Sequence, residues 1–194
     1  MKKIIVLFLF AIVCCKDKTN TLPENVILLQ SFENFTLQEC EVVKNKLLPI
    51  YPNLKILKPI PFPDESWNEP KTRRRADYLL NYLNQIPTKN QLVIGLTHKD
   101  ISTTKGNKKD WGIFGLANCP GSACIASDFR LKGKTSEKLF KVAIHELGHT
   151  QGLRHCPVKN CFMRNAEGKD HLDEETEFCK ICKENLIKKG WKLK

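Results

Sequence analysis

A short run of the sequence holds three histidines and a glutamate at regular spacing. In HELGHTQGLRH, His145 and His149 are four residues apart, Glu146 follows the first histidine, and His155 comes six residues after the second. Residues four apart on a helix lie on the same face, so the two imidazoles can bind one metal ion. Gly152 tolerates the backbone conformation that reverses the chain and returns His155 as a third ligand. Three protein ligands with one open position are typical of a catalytic zinc.

Glu146 stands beside these ligands without being one of them. Its carboxylate can accept a proton from a metal-bound water, so the HExxH spacing predicts a hydrolytic zinc centre with Glu146 as general base. The longer pattern HExxHxxGxxH is followed by Met163, the one methionine besides the initiator. That combination matches the metzincin pattern, in which a methionine turn follows the third histidine. His98 and His171 have no such neighbours, and we interpret them as ordinary hydrogen-bonded residues.

Four cysteines follow the histidines in two close pairs, Cys156 with Cys161 and Cys179 with Cys182. Four thiolates in two pairs suit a closed, tetrahedral, structural zinc site. Such a site would fasten the last helix to the segment that carries Met163, which is poor in aliphatic residues. Two disulfides are the alternative, because thiols oxidise outside the cytoplasm.

Three other cysteines give weaker signals. Cys119 and Cys124 flank a tight turn, and their spacing allows a local disulfide. Cys40 lies on the apolar stripe of a predicted helix, which favours a small buried hydrophobe over a reactive thiol.

The N-terminal stretch MKKIIVLFLFAIVCC predicts an export signal. Lys2 and Lys3 precede an apolar run that is too short to span a bilayer but suits a signal peptide. Cys15 resembles the lipidated cysteine of a bacterial lipoprotein signal, and ordinary cleavage near the same point is the alternative. We therefore predict a signal at 1–15, a polar linker at 16–23 and a single domain at 24–194. The protein is expected in the cell envelope, associated with a membrane through an N-terminal lipid.

Strands and helices alternate through the predicted domain. Hydrophobic periodicity and turn residues indicate strands at 24–32, 54–60, 91–97, 112–117 and 123–129 and helices at 36–49, 74–86, 136–152 and 178–189, with loops at 59–70 and 102–110. This order predicts an α/β (α+β) fold, with helices packed on a mixed twisted sheet. The active-site helix is the one at 136–152.

The charge balance does not point to a nucleic-acid partner. The chain carries 32 lysines and arginines against 21 acidic residues, a formal net charge of +11. Such a balance favours contact with anionic surfaces. The basic residues are scattered, however, and no aromatic residues alternate with them as in a stacking platform. We expect solvated faces, no specific nucleic-acid binding, and a monomer.

The combined pattern HExxHxxGxxHCxxxxCxM, followed by FCKIC at 178–182, resembles the archaemetzincins. Upstream, GLTHKDI, WGIFGLA and FRL are similar to strand and edge-strand segments of that family. The resemblance implies a metzincin-like catalytic domain with an active-site helix, a Met-turn at Met163 and a C-terminal helix. It also implies two zinc ions, one catalytic on the three histidines and one structural on the four cysteines, which favours thiolates over disulfides.

The predicted function is hydrolysis of peptide bonds in a peptide or protein substrate by a zinc metallopeptidase. A non-catalytic, zinc-stapled, peptide-binding envelope lipoprotein is the alternative, and a basic envelope protein that binds an anionic polymer is a weaker one. If residues 123–129 form the edge of the sheet, as the resemblance implies, they could bind an extended substrate as an added strand.

Overall fold

The structure is a computed structural model that describes residues 25–133, 135–166 and 168–193. The predicted signal at 1–15, the linker at 16–23 and Cys15 lie outside these residues. The strands are β1 (Val26–Ser31), β2 (Leu54–Ile56), β3 (Arg74–Arg75), β4 (Gln91–Thr97), β5 (Ile101–Lys105), β6 (Lys108–Ile113), β7 (Gly115–Ala117) and β8 (Ala123–Ser127). The helices are α1 (Leu37–Leu47), α2 (Ala76–Leu83), α3 (Thr135–Thr150) and α4 (Lys180–Ile187), with a short 3₁₀ helix at Asp64–Ser66.

The main sheet has the strand order β2-β1-β4-β8-β7. The first four strands are parallel to their neighbours, and β7 runs antiparallel to β8. The central strands are nearly continuous aliphatic runs because helices cover both faces of the sheet. Ile27 and Leu29 face the core that contains α1 and α3, whereas Leu28 faces α2. The predicted α/β fold with a mixed sheet is confirmed.

Helix α3 is fixed in place by its apolar side. Leu139, Ala143, Ile144 and Leu147 are buried in the same core as α1. The chain turns after the helix at Gly152, where φ is +85° and a side chain would be strained. The predicted active-site helix therefore exists, and its register is set by the hydrophobic core.

A second sheet, of order β3-β5-β6, corrects two predictions. Residues 102–110 are not a loop: β5 and β6 pair as an antiparallel hairpin that turns at Gly106. Lys105, Lys108 and Lys109 are exposed near the turn of the hairpin, so their polarity concealed the strands. Helix α2 starts two residues later than predicted, because Arg74–Arg75 pairs with β5 as a short strand.

The predicted edge strand is also wrong. Strand β8 lies between β4 and β7, and its Ile125 is fully buried. The edge is β7, only three residues long. Both segments are short and apolar, so the sequence pattern alone could not order them in the sheet. In the part of the chain that the structure describes, no helix combines the length and apolar character that a bilayer span requires.

Candidate metal centre

Three imidazoles meet at the C-terminal end of α3. The Nε2 atom of His149 lies 3.1 Å from that of His145 and 3.3 Å from that of His155. The ligand atoms of a tetrahedral zinc bound at 2.0–2.1 Å are separated by about 3.3–3.4 Å. The helix supplies the first two rings one turn apart, and the reversal at Gly152 returns the third. The three nitrogens therefore have the spacing of donors to a single ion.

Backbone carbonyls orient two of these rings. The Nδ1–H group of His145 donates to the carbonyl of Phe162 at 2.6 Å, and that of His149 donates to Leu153 at 2.7 Å. A proton held at Nδ1 leaves the Nε2 lone pair free to bind a metal. The tautomer that a metal requires is thus set by the fold.

The environment also keeps the rings neutral. Burial, together with the neighbouring His149, lowers the pKa of His145 to about 3. Burial likewise lowers the pKa of His149 and of His155. Neutral imidazole is the form that binds metal ions.

Glu146 is buried next to this centre, against the edge strand. Its side chain is only 7 % exposed, and burial raises its pKa to about 8. Gly115 of β7 packs directly on it: a Cβ atom at Gly115 would lie 2.6 Å from both Cγ and Oε1 of Glu146. A cation among the three imidazoles would favour the ionised carboxylate. Because Gly115 has no side chain, the carboxyl group of Glu146 fits against β7.

Met163 is fully buried beneath α3, where its sulfur packs on Gly148. Its carbonyl accepts a hydrogen bond from the N–H of Cys156 at 2.7 Å. The turn at Met163 is thereby tied both to the helix that carries His145 and His149 and to the residue after His155. This is the position that the methionine-turn prediction requires.

The four paired cysteines converge in a separate cluster. The Sγ atoms of Cys156 and Cys179 are 3.6 Å apart, and those of Cys161 and Cys182 are 3.8 Å apart. Sulfurs around a tetrahedral zinc are separated by about 3.8 Å, whereas a disulfide requires about 2.05 Å. All four are free thiols, and all four sulfurs lie within 4.8 Å of one another. The geometry matches the zinc interpretation and not the two disulfides.

The backbone around the cluster favours thiolates at two positions. The N–H groups of Met163 and Cys179 donate to the sulfur of Cys161 at 3.4 and 3.3 Å. Burial nevertheless raises the pKa of Cys161 to about 11. At Cys179 burial acts in the same direction, but hydrogen bonds, chiefly from the N–H of Cys182, outweigh it and lower the pKa. A cation in the cluster would compensate the remaining cost of ionising these sulfurs.

The remaining cysteine predictions have different outcomes. The Cys119–Cys124 disulfide is contradicted: both are free thiols, Cys124 is buried in β8, and exposed Cys119 instead donates to the carbonyl of Leu153 at 3.5 Å. The pairing fails because β8 turns Cys124 into the core. Cys40 is fully buried, as predicted.

The chain is similar to known proteins over most of its length. The family model "Peptidase family M54" matches residues 92–188. The archaemetzincin of Methanopyrus kandleri is 32% identical over 136 residues, which cover 66% of this chain and 75% of that protein. The archaemetzincin of Archaeoglobus fulgidus is 31% identical over 150 residues, covering 73% and 87%. The chain belongs to peptidase family M54. It is accordingly a zinc metallopeptidase, and its substrates are peptides or proteins.

Solved structures support the same assignment of this M54 peptidase. The crystal structure of the M. kandleri archaemetzincin superposes with a TM-score of 0.72 at 27% identity, covering 86% of this chain and 95% of that one. The A. fulgidus archaemetzincin, crystallised with malonate, gives a TM-score of 0.67 at 27% identity, with 82% and 98% covered. The metzincin-like fold is thereby confirmed.

A cavity of about 690 Å³ opens beside the histidines of this M54 peptidase. His145, Glu146 and His155 line it, and the β5–β6 hairpin contributes a wall that includes Trp111. Among the lining residues that sequence reasoning did not single out are Trp111, Gly115 and Glu175. Trp111 lies between the predicted loop at 102–110 and the predicted strand at 112–117, and Gly115 lies in that strand without a visible role. Glu175 is one acid among several in HLDEETE, and no sequence signal distinguishes it.

His98 is hydrogen-bonded through both ring nitrogens and lies outside both clusters, as predicted. Its Nδ1 lies 2.8 Å from a carboxylate oxygen of Asp128, and its Nε2 lies 3.0 Å from Glu39. Burial alone would lower the pKa of His98, but the two carboxylates outweigh it and raise the pKa. His171 faces Glu174 at 3.6 Å and lies outside both clusters.

Proposed function

We propose that this M54 peptidase hydrolyses peptide bonds with Glu146 as general base, His145, His149 and His155 as ligands of a catalytic zinc, and Cys156, Cys161, Cys179 and Cys182 as ligands of a structural zinc. The observation that carries the proposal is the convergence of three Nε2 atoms, two of them on rings oriented by backbone carbonyls, next to a buried carboxylate that lines the cavity. When bound, zinc activates water and polarises a carbonyl.

Glu146 transfers the proton in this mechanism. Its carboxylate accepts a proton from the attacking water as the water oxygen bonds to the carbonyl carbon of the substrate. The same carboxyl group then donates that proton to the amine nitrogen as the carbon–nitrogen bond breaks. Contact with Gly115 restricts the position of the carboxylate, and burial keeps bulk water from competing for the proton.

The free edge of β7 is suited to bind the substrate backbone. The backbone N–H of Ser127 donates to the carbonyl of Phe114, and the backbone N–H of Asn118 donates to the carbonyl of Ala123. Phe114 with Ser127, and Asn118 with Ala123, are therefore hydrogen-bonded pairs of the β7–β8 ladder. Because such pairs alternate along an antiparallel ladder, the N–H and C=O groups of Gly115 and Ala117 point away from β8. An extended peptide can pair with these groups and place a bond over the histidines.

The main experiment compares wild type with Glu146→Gln on a diverse peptide mixture, read by mass spectrometry. Removal of a general base is expected to lower the rate of cleavage by about 10²–10⁴-fold while zinc content is unchanged. Equal cleavage by both proteins would exclude Glu146 as the base. If neither cleaves any peptide while zinc is retained, the non-catalytic binding alternative replaces the peptidase mechanism.

The substrate-edge proposal is tested with Ala117→Pro, which removes one outward N–H group and leaves the ladder to β8 intact. One lost hydrogen bond is expected to raise KM by about 2–10-fold. Ala117→Ser keeps the N–H group and is the matched control. An unchanged KM for Ala117→Pro, with zinc content preserved, would contradict binding by strand addition at β7.

The envelope location remains a proposal that rests on residues 1–15. We propose that Cys15 is lipidated after export. Metabolic labelling with a fatty acid is expected to mark the wild-type chain and not Cys15→Ala. Labelling of both chains, or of neither, would reject lipidation at Cys15.

A further inference from the structure

Glu175 is a buried carboxylate in the cavity with an unsatisfied oxygen. The residue is only 3 % exposed, and its Oε2 atom has no hydrogen-bond partner among the described residues. It lines the same cavity as His145 and Glu146. Buried polar atoms nearly always have a partner, and a buried carboxylate without one is costly.

Three other acidic residues from 170–177 form ion pairs. Asp170 accepts from Lys138 at 2.8 Å, Glu174 from Arg164 at 2.8 Å, and Glu177 from Lys183 at 2.7 Å. Glu175 differs from these neighbours in being buried and in having one carboxylate oxygen, Oε2, without a hydrogen-bond partner among the described residues.

The nearest cations are bound to other groups. Lys141 donates to the carbonyl of Leu172 at 2.6 Å, and Arg164 donates to Glu174 and to the carbonyl of Lys159. Their charges oppose the effect of burial, yet burial still raises the pKa of Glu175 to about 7. The carboxylate therefore lacks an adequate partner within the described chain.

The cavity around Glu175 has an apolar wall. Val142, which precedes Glu146 by one turn of α3, lines it together with Leu172 and Ala166. A lysine or arginine side chain has an aliphatic stem and a cationic end, so it matches a cavity whose lining combines apolar side chains with a buried carboxylate.

The other acids that line the cavity do not offer an equivalent site. Asp110 is held by Arg75 at 3.4 Å and by Ser102 at 3.2 Å. Glu146 belongs to the proposed reaction. On the hairpin, Lys105 and Lys108 lie over the Trp111 ring, 5.0 and 4.8 Å from its centre, and would repel a cation. The hairpin side of the cavity is thus basic. The arginines elsewhere in its lining, Arg73, Arg130 and Arg164, are paired with Asp100 or Glu174, and Glu175 supplies the acidic site.

We propose that Glu175 determines substrate specificity by binding the cationic end of a lysine or arginine side chain of the substrate. This inference rests on the proposed peptidase function. It makes the enzyme selective for peptides with a basic residue at one fixed position relative to the cleaved bond.

The first test is cleavage of a diverse peptide mixture by wild type, Glu175→Gln and Glu174→Gln. Glu174 is the matched control, since it is an exposed carboxylate at the adjacent position. We expect lysine and arginine to be enriched about tenfold or more at one position in the products of wild type and Glu174→Gln, because a hydrogen-bonded charge pair contributes that much discrimination. The enrichment should disappear with Glu175→Gln. Absence of the enrichment in wild type, or its persistence in Glu175→Gln, would overturn the proposal.

A binding test separates this inference from the peptidase mechanism. The probes are fluorescein-labelled alanine octapeptides with one lysine moved through successive positions, and the same peptides with Nε-acetyl-lysine. Bound to zinc-loaded Glu146→Gln, the best lysine peptide is expected to have a Kd about tenfold or more below that of its acetylated counterpart. The difference should vanish in Glu146→Gln/Glu175→Gln.

The acetyl-lysine comparison needs no change at Glu175, so it remains decisive if Glu175→Gln fails to fold. Equal affinities for the two peptide series would overturn the specificity proposal, even if cleavage by wild type supports the peptidase. Discrimination without cleavage of any peptide would support the role of Glu175 and reject the hydrolytic mechanism.

Discussion

The three-histidine centre and the four-cysteine cluster are held in place by different means. Two of the histidines are on α3, which the hydrophobic core fixes, and backbone carbonyls orient their rings. The cysteine cluster joins α4, which carries Cys182, to a preceding segment with little regular structure, where isolated bridges join Cys156 to Arg164 and Cys161 to Glu177. The comparison teaches that one site is positioned by a regular helix, whereas the other lies where irregular segments meet, although Phe162, Phe178 and Leu186 of those segments pack into the same core as α3.

The largest expected effect is on stability, from Cys182→Ser. A structural zinc contributes about 10–16 kcal/mol to the folding of small zinc domains, and loss of one ligand should remove several kcal/mol of that. Thermal and urea unfolding measure the change. Cys119→Ser, an exposed thiol outside the cluster, should change the free energy of unfolding by less than about 0.5 kcal/mol. Equal free energies of unfolding for the two variants would contradict a structural role of the cysteine cluster.

At the histidine centre we expect a large loss of activity and a smaller loss of stability. His149→Gln should abolish peptide hydrolysis and reduce the zinc content by one ion per chain, because two imidazoles bind the ion much less tightly than three. Its midpoint of unfolding should fall less than that of Cys182→Ser, since the core and not the metal holds α3. His171→Gln, outside both clusters, is the control. Unfolding as severe as that of Cys182→Ser would show that both sites are structural.

A smaller loss of activity is expected from Gly115→Ala. The new Cβ would lie 2.6 Å from Glu146 and displace its carboxylate. A misplacement of about 1 Å can reduce the rate about 10²-fold, so kcat should fall while zinc content is retained. Leu116→Val, on the opposite face of β7, is the control. An unchanged kcat would mean that the carboxylate does not need the position seen in the structure.

The smallest expected effect is the pH dependence contributed by His98, which lies away from both clusters. Its pKa is raised in the folded protein, so its stabilising contribution is fully present below the unfolded pKa of about 6.5 and is lost as pH rises through the folded pKa. The stability advantage of wild type over His98→Gln should shrink as the pH rises above about 6.5, and it should stay below about 1 kcal/mol, because the ring is partly exposed. An advantage that grows with pH would contradict the ion-pair interpretation.

The histidine centre could be predicted because its geometry is local. Spacing of four on a helix fixes two imidazoles, and one glycine suffices to return the third. The cysteine cluster could be proposed as a set, but spacing alone left disulfides open until the sulfur positions were known. The α/β class followed from aliphatic runs such as that of β4, whose predicted bounds of 91–97 match the structure.

Long-range placement could not be predicted. Which of β7 and β8 forms the edge depends on the packing of the whole sheet, and the β5–β6 hairpin is hidden by its exposed lysines. The Cys119–Cys124 disulfide was wrong for the same reason, because the direction of one side chain depends on sheet register. Glu175 is distinguished only by tertiary burial, and its sequence neighbours are equally acidic.

His155 and Cys156 are adjacent in the chain, so one peptide bond joins the two clusters. Their Cα atoms are about 3.8 Å apart, and Met163 holds the same junction through its carbonyl. Oxidation or alkylation of Cys156 would therefore displace an imidazole of the neighbouring centre. A compound that removes Cys156 from its cluster is therefore expected to inhibit this peptidase without entering the cavity.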